Sequence, residues 1–259
     1  MVEVNLKLVQ HSVKMGHKCP EIKPNIKEDC IFMEDGVPVG FFIKKISGKL
    51  KQFVEIANKE FNGNEVPKQR MERGTKKQAE AKGIEWISQL STIIGSIPPK
   101  AHMRRPYASR SSVHNNPKAK TFIKAMLLAC KEAELIIKEI MPEQYEFQKK
   151  CIEENVPEKW RFGNLFTSSI SNFNISAPYH RDNANLKGCV NVILTKRYAC
   201  EGGNLSVPDY GVTMDSCDNS LLVYPAWKNV HGVTPIKPLK EGGYRNSLIF
   251  YPLKSFKNC

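Results

Sequence analysis

The sequence predicts an α+β fold in which a helix-rich N-terminal part packs against an all-β C-terminal part. Three observations predict it. Before about residue 155, apolar residues recur at helical spacing, with Gly and Pro between the segments. After Trp160 they fall into short alternating runs divided by turn residues, the texture of a sandwich or barrel. The composition, 259 residues with 41% hydrophobic and 25% charged, is that of a globular chain with a sizeable core. It excludes collagenous, coiled-coil and wholly disordered chains. No apolar run approaches the roughly 18–20 residues that span a membrane. The expected organisation is residues 1–150 as a basic helical buttress and residues 151–259 as the β core, in one integrated domain.

The elements follow in order. Val39–Lys45 follows the Asp35-Gly36 turn and Pro38 and reads as a strand. Ser47 can cap a helix over Leu50–Phe61, with Phe53, Ile56, Ala57 and Phe61 on one face. Ala79–Ile94 shows a second helical pattern, with Trp86 and Leu90 in its stripe. Pro98–Pro117, rich in Pro, Ser and Asn, reads as irregular. Pro117 opens the clearest helix, Lys118–Met141, whose apolar face is Phe122, Met126, Leu127, Cys130, Leu135 and Ile136. Pro142 ends it and starts another, Glu143–Glu154. The expected strands are Leu165–Ile175, Cys189–Leu194, Gly203–Val207, Ser220–Tyr224, Gly232–Ile236 and Asn246–Leu253. Gly202-Gly203 and Gly242-Gly243 are expected at turns with positive φ.

Charge narrows the partners. The chain carries 39 Lys+Arg against 26 Asp+Glu, net +13, which suggests a polyanion such as nucleic acid. Residues 151–259 hold 12 Lys/Arg and 9 Asp/Glu, so most of the surplus lies in residues 1–150. Ile87–Lys131 contains no acidic residue and carries Lys100, Arg104, Arg105, Arg110, Lys118, Lys120, Lys124 and Lys131. A flexible basic loop there could lie along phosphates, with Tyr107 stacking on a base or sugar. Of the eight cysteines none forms a C-x-x-C pair. Without a signal-peptide pattern, the expected setting is intracellular with reduced thiols, in a nucleus or in the cytoplasm of a prokaryotic or virus-infected cell.

One constellation carries chemistry. His180 and Asp182 form an H-x-D at a strand end, where positions i and i+2 share a face. His231 follows at the start of another strand. Two imidazoles and a carboxylate on one face make a facial triad that leaves open positions on Fe(II). Arg245 and Ser247 then share a strand face, where a guanidinium fork and a hydroxyl can hold a carboxylate.

In this order the motifs resemble the 2-oxoglutarate- and Fe(II)-dependent dioxygenases, whose core is a double-stranded β-helix, or jelly roll. The chain is most similar to the TET/JBP branch, which hydroxylates 5-methylcytosine and thymine in DNA. The segments carrying the resemblance are Gly163–Ser168, Asn172–Asn174, His180–Asn185, Glu201–Leu205, His231–Pro235 and Gly243–Phe250. It covers roughly Trp160 to Leu253 and fades upstream, where the stretch near Arg110 could support the co-substrate.

The resemblance implies Fe(II) on His180, Asp182 and His231, 2-oxoglutarate on Arg245 and Ser247, and O₂ as oxidant. It implies that Asn185 bonds a flipped base and that Tyr251 stacks on it. Leu253 stands where the TET enzymes carry a His that helps read methylcytosine. The implied activity is hydroxylation of the C5-methyl of 5-methylcytosine or thymine in DNA. Two other functions stay open: a dioxygenase acting on a protein side chain or small molecule, and a non-catalytic nucleic-acid-binding jelly roll.

Overall fold

The computed structural model describes residues 1–72, 75–83, 88–100, 105–257 and 259, and of residues 71, 72, 88 and 89 the backbone. Trp86, Ile87 and Arg104, singled out above, lie outside the described residues. The first half contributes β1 (Val2–Asn5), β2 (Cys30–Glu34), β3 (Val37–Ile43), α1 (Gly48–Asn62), β4 (Gln69–Glu72), α2 (Lys76–Ala81), β5 (Ser88–Ile97), β6 (Ser109–Arg110) and α3 (Lys120–Ile140). After α4 (Pro142–Asn155) come β7 (Ser168–Phe173), β8 (Ala177–His180), β9 (Asn191–Tyr198), β10 (Cys200–Gly202), β11 (Leu205–Val207) and β12 (Val212–Met214). The last four are β13 (Ser220–Tyr224), β14 (His231–Val233), β15 (Ile236–Pro238) and β16 (Tyr244–Tyr251).

Eight strands make the jelly roll. A major sheet holds β13-β9-β16-β7 and a minor sheet holds β12-β11-β14-β8, so the chain crosses repeatedly between two facing layers. The major sheet continues outward on both sides, through β3, β2 and β1 beyond β13 and through β5 and β4 beyond β7. Strands from either side of residue 150 therefore share one hydrogen-bonded sheet.

Strand parity gives the major sheet two different faces. Val192, Leu194, Leu221, Val223, Leu248 and Phe250 pack with Leu50 and Phe61 of α1 and Phe122 and Met126 of α3 in the largest buried cluster. The alternate residues Ile193, Leu222 and Ile249 pack instead with Leu205, Val207 and Met214 of the minor sheet. Burying large apolar side chains contributes roughly 1.5–3 kcal/mol each, so the helix-facing side is the main source of stability.

Several expectations need correction. Ala79–Ile94 is not one helix. A short helix, α2, ends before Gly83, whose φ is +61°, and Ser88–Ile97 is strand β5. The β-branched run Thr92-Ile93-Ile94 pairs with Ser171-Ile170-Ser169 of β7, and this distant pairing outweighs local helical spacing. Leu90 is exposed rather than in a packed stripe. Pro98–Pro117 is not wholly irregular, because β6 pairs with β5. The α3 face is rotated from the expected one: Leu127 and Leu135 are exposed, while Ile123, Ala133 and Ile137 are buried. Ile56 of α1 is likewise exposed. Ser47 sits at the N-cap of α1 but makes no side-chain capping bond. The expected strand Gly232–Ile236 is broken into β14 and β15. Gly202, Gly203 and Gly242 have positive φ as expected, but Gly243 does not. A Cβ at Gly243 would sit 2.3 Å from the Ala199 carbonyl oxygen, so close backbone approach explains this glycine.

Candidate active site

The two histidines sit directly opposite each other, since His231 on β14 is the register partner of His180 on β8. Their ring centroids are 4.3 Å apart. Asp182 lies two residues beyond the end of β8, so a turn rather than strand alternation brings its carboxylate in. Its backbone N–H donates to the Ala226 carbonyl at 3.0 Å. Asp182 Oδ1 is 3.6 Å from His180 Nε2 and 4.0 Å from His231 Nε2. One ligand atom from each of the three residues lies within 4.8 Å of the others, a set that could hold a metal ion.

The surrounding bonds fix which atoms face that point. His180 Nδ1 is 2.7 Å from the Pro178 carbonyl, and His231 Nδ1 is 3.1 Å from the Asn229 carbonyl. A carbonyl only accepts, so each Nδ1 carries the proton and each Nε2 keeps a lone pair for a cation. Burial and the neighbouring His180 push the His231 pKa down to about 4, so this imidazole is neutral and ready to ligate at neutral pH. Tyr224 meets the His231 ring edge-on at 5.3 Å.

Asp182 is held from its other side. Asn191 Nδ2 donates to Asp182 Oδ2 at 2.9 Å, and Asn185 Nδ2 donates to Asn191 Oδ1 at 2.8 Å. The carboxylate accepts only, and this sets both amide orientations. Asn191 must turn its NH₂ to Asp182 and its oxygen to Asn185. Asn185, itself buried, must then turn its NH₂ to Asn191, which leaves its oxygen as the uncommitted acceptor. Tyr251 also feels this carboxylate: burial first, then the Asp182 charge, raise its phenol pKa.

Arg245 and Ser247 share the face of β16 that carries Ile249 toward the minor sheet, and each is 3% exposed. Arg245 is opposite Arg197, and Ser247 is opposite Thr195 on one side and Asn172 on the other. The paired arginines differ. Arg197 donates to the Ser216, Cys200 and Gly202 carbonyls. Arg245 Nε is buried with no partner, and among the described residues no carboxylate pairs with its guanidinium. Burial, then the nearby Arg197, lowers its pKa to about 10, which still leaves it charged at neutral pH. An unpaired buried guanidinium is costly unless an anion arrives, so the site fits a carboxylate ligand. Further along the same row, Ser91 Oγ donates to Asn172 Oδ1 at 2.7 Å.

Sequence reasoning missed Asn191, Tyr224 and Ser91, and gave no role to Asn172, although it lies in a segment that carries the resemblance. For Asn191 a signal existed: it is a polar residue opening the apolar run Val192-Ile193-Leu194. Arg110, by contrast, is spoken for. Its guanidinium donates to Ser96 Oγ and to the Arg161 and Lys159 carbonyls. Lys118 of the acid-free stretch meets Glu65 at 3.4 Å, so acid-free in sequence is not acid-free in space. Tyr107 is 79% exposed and available to stack.

A jelly roll with two imidazoles and a carboxylate around one point, and an unpaired interior arginine, fits the class of non-haem iron oxygenases with room for an anionic co-substrate. The family model of the Tet/JBP oxygenase domain of the 2OGFeDO superfamily matches residues 98–254, more than half of the chain. The chain belongs to this family, and its activity requires Fe(II), 2-oxoglutarate and O₂. The matched region begins well upstream of Trp160. Among solved structures, NgTET1 in complex with 5mC DNA is similar with a TM-score of 0.62 at 11% identity, over 95% of this chain and 84% of that one. This likeness is one of fold. A 2OG-Fe(II) oxygenase-family oxidoreductase from Burkholderia pseudomallei gives a TM-score of 0.45 at 10% identity, over 85% and 89% of the two chains. A 2OG-Fe(II) oxygenase family protein from Caulobacter crescentus gives 0.48 at 15% identity, over 83% and 77%. A search of the curated proteins finds no match. Among the described residues, no helix is long and apolar enough to cross a membrane.

Proposed function

We propose that this chain hydroxylates the C5-methyl group of 5-methylcytosine or thymine in DNA. The observation that carries the reading is the close set of His180, Asp182 and His231, sharing the barrel interior with the buried, unpaired Arg245, in a Tet/JBP-family fold. His180 and His231 would hold iron through Nε2 and Asp182 through Oδ1. Arg245 would take the far carboxylate of 2-oxoglutarate, with Ser247 adding a hydroxyl bond. When bound, the iron with its co-substrates supplies the oxidising power that exchanges a C–H for a C–OH, leaving succinate and CO₂.

The chain's own residues do the rest. The Pro178 and Asn229 carbonyls keep the two imidazoles in the ligating tautomer. Asn191 holds Asp182 so that one oxygen faces the metal. A methyl group inside a duplex cannot enter such a barrel, so the base must flip out of the stack. The uncommitted oxygen of Asn185 suits a donor on the base edge, either the cytosine amino group or thymine N3–H. Tyr251 would stack on the ring. NgTET1, the relative in fold, is seen with 5mC DNA, and the net charge of +13 favours a polyanion.

The test is mass spectrometry of nucleosides after incubating thymine-only and 5-methylcytosine DNA with the chain, Fe(II) and 2-oxoglutarate. A hydroxymethyl product on either base is the expected result. Succinate release without any oxidised base would move the reading to a protein or small-molecule substrate.

A further inference from the structure

The residues immediately before the two site histidines are gripped from outside by the first part of the chain. On β8, the Gly16 N–H donates to the Tyr179 carbonyl at 2.7 Å, and the Tyr179 N–H donates to the His17 carbonyl at 2.9 Å. Strand alternation points Tyr179 away from the barrel as His180 points in. Tyr179 and Val230 form a small buried cluster with Cys19, flanked by Val13 and Ile22. The packing is close, since a Cβ at Gly232 would lie 3.0 Å from both Cys19 Cβ and Tyr179 Cδ1.

The grip on the second histidine runs through Asp209, in the turn between β11 and β12. Asp209 Oδ2 accepts from the Val230 N–H at 3.0 Å and from Asn229 Nδ2 at 3.2 Å. Asn229 in turn supplies the carbonyl that orients His231. The other oxygen, Oδ1, meets His11 Nε2 at 2.8 Å, and the Asp209 carbonyl accepts from the Val9 N–H at 2.9 Å. Arg181, between His180 and Asp182, has Nη2 3.9 Å from Oδ2. Burial raises the Asp209 pKa, but His11, Val230, Asn229 and Arg181 outweigh it and hold the carboxyl below its ordinary range.

We infer that Asp209 and His11 are positioning residues of the iron site, and that residues 9–19 form a brace that sets its metal affinity from behind. The family match begins at residue 98, so this brace comes from outside the matched region. A metal centre depends on its ligands being held within about 0.5 Å of the required geometry, and the groups that hold them strongly affect affinity. Losing the Asp209 carboxylate frees the Val230 N–H and Asn229 together, and with them the anchor of His231. Losing His11 removes one support of Asp209 and leaves the rest.

The experiment titrates the metal-free full chain with Co(II), followed by its absorption bands, beside hydrogen exchange at the Tyr179 and Val230 amides. Asp209→Ala is expected to weaken Co(II) binding by about 10–100-fold and speed exchange at Val230. His11→Ala is expected to weaken binding several-fold less than that. Asn25→Ala, which removes the bonds to the Gly211 carbonyl and the Thr213 N–H just beyond this turn but leaves Asp209 and Asn229 intact, is expected to keep wild-type affinity whatever it costs in stability. If Asp209→Ala does not fold, Asp209→Asn, with the same volume and no charge, decides in the same way. A folded Asp209 variant with wild-type Co(II) affinity would overturn the proposal. An unchanged His11→Ala would overturn the part played by the brace.

Discussion

The two faces of the major sheet are built from the same strands and do opposite work. On β16, Asn246, Leu248 and Phe250 turn to the helices and are fully buried, while Arg245, Ser247, Ile249 and Tyr251 turn to the barrel interior. On β9, Val192 and Leu194 join the helical core, whereas Asn191 and Ile193 face inward. Because side chains alternate every residue, a strand can separate stability from chemistry without a separate structural element for each. The separation should be visible when single positions are changed.

The largest expected effect is on the chemical side. Asp182→Ala should reduce iron-dependent succinate release to background while the melting temperature stays within about 3 °C of wild type. Retained turnover would break the site assignment. On the helix side, Leu248→Ala should cost about 2–5 kcal/mol in urea unfolding and leave the 2-oxoglutarate KM of the folded protein unchanged. A raised KM there would show that the two faces are coupled.

Arg245→Ala should raise the 2-oxoglutarate KM by roughly 10–150-fold, the worth of a charge-assisted bond of about 1.5–3 kcal/mol. The same change should not destabilise the ligand-free chain, because it removes an unpaired buried charge. Asn191→Ala should weaken metal binding about tenfold, measured by Co(II) titration.

Changing pH probes the chemical face without a substitution. His231 is held neutral in the folded chain, with a pKa of about 4 against an ordinary value of about 6.5. Its contribution to stability is therefore present above about pH 6.5 and lost as pH falls toward 4. Unfolding of the metal-free chain should become easier across that window, and His231→Gln should flatten the dependence.

The site was more legible than its supports. H-x-D, the distal His and R-x-S stand on strands whose short alternating runs could be read locally, and Arg245 and Ser247 share a face as strand parity requires. Even there, Asp182 reached His180 by a turn that alternation did not foresee. The strand β5 was misread because its partner β7 begins at Ser168, too far along the chain for a local pattern to register. Asp209 sits in Val-Pro-Asp-Tyr-Gly, which reads only as a turn. Val2-Glu3-Val4-Asn5-Leu6 alternates as a strand does and contains β1, but residues 9–26 form no helix or named strand and are fastened mostly one bond at a time to distant backbone groups.

That fastening has a consequence for biosynthesis. His11 and Asp209 are 198 residues apart, so at about 5–20 residues per second the ribosome makes one roughly 10–40 s before the other. The segment around His11 must wait for the segment around Asp209 before their bond can form. The brace therefore times as well as supports: it can close only once both histidine strands have been made.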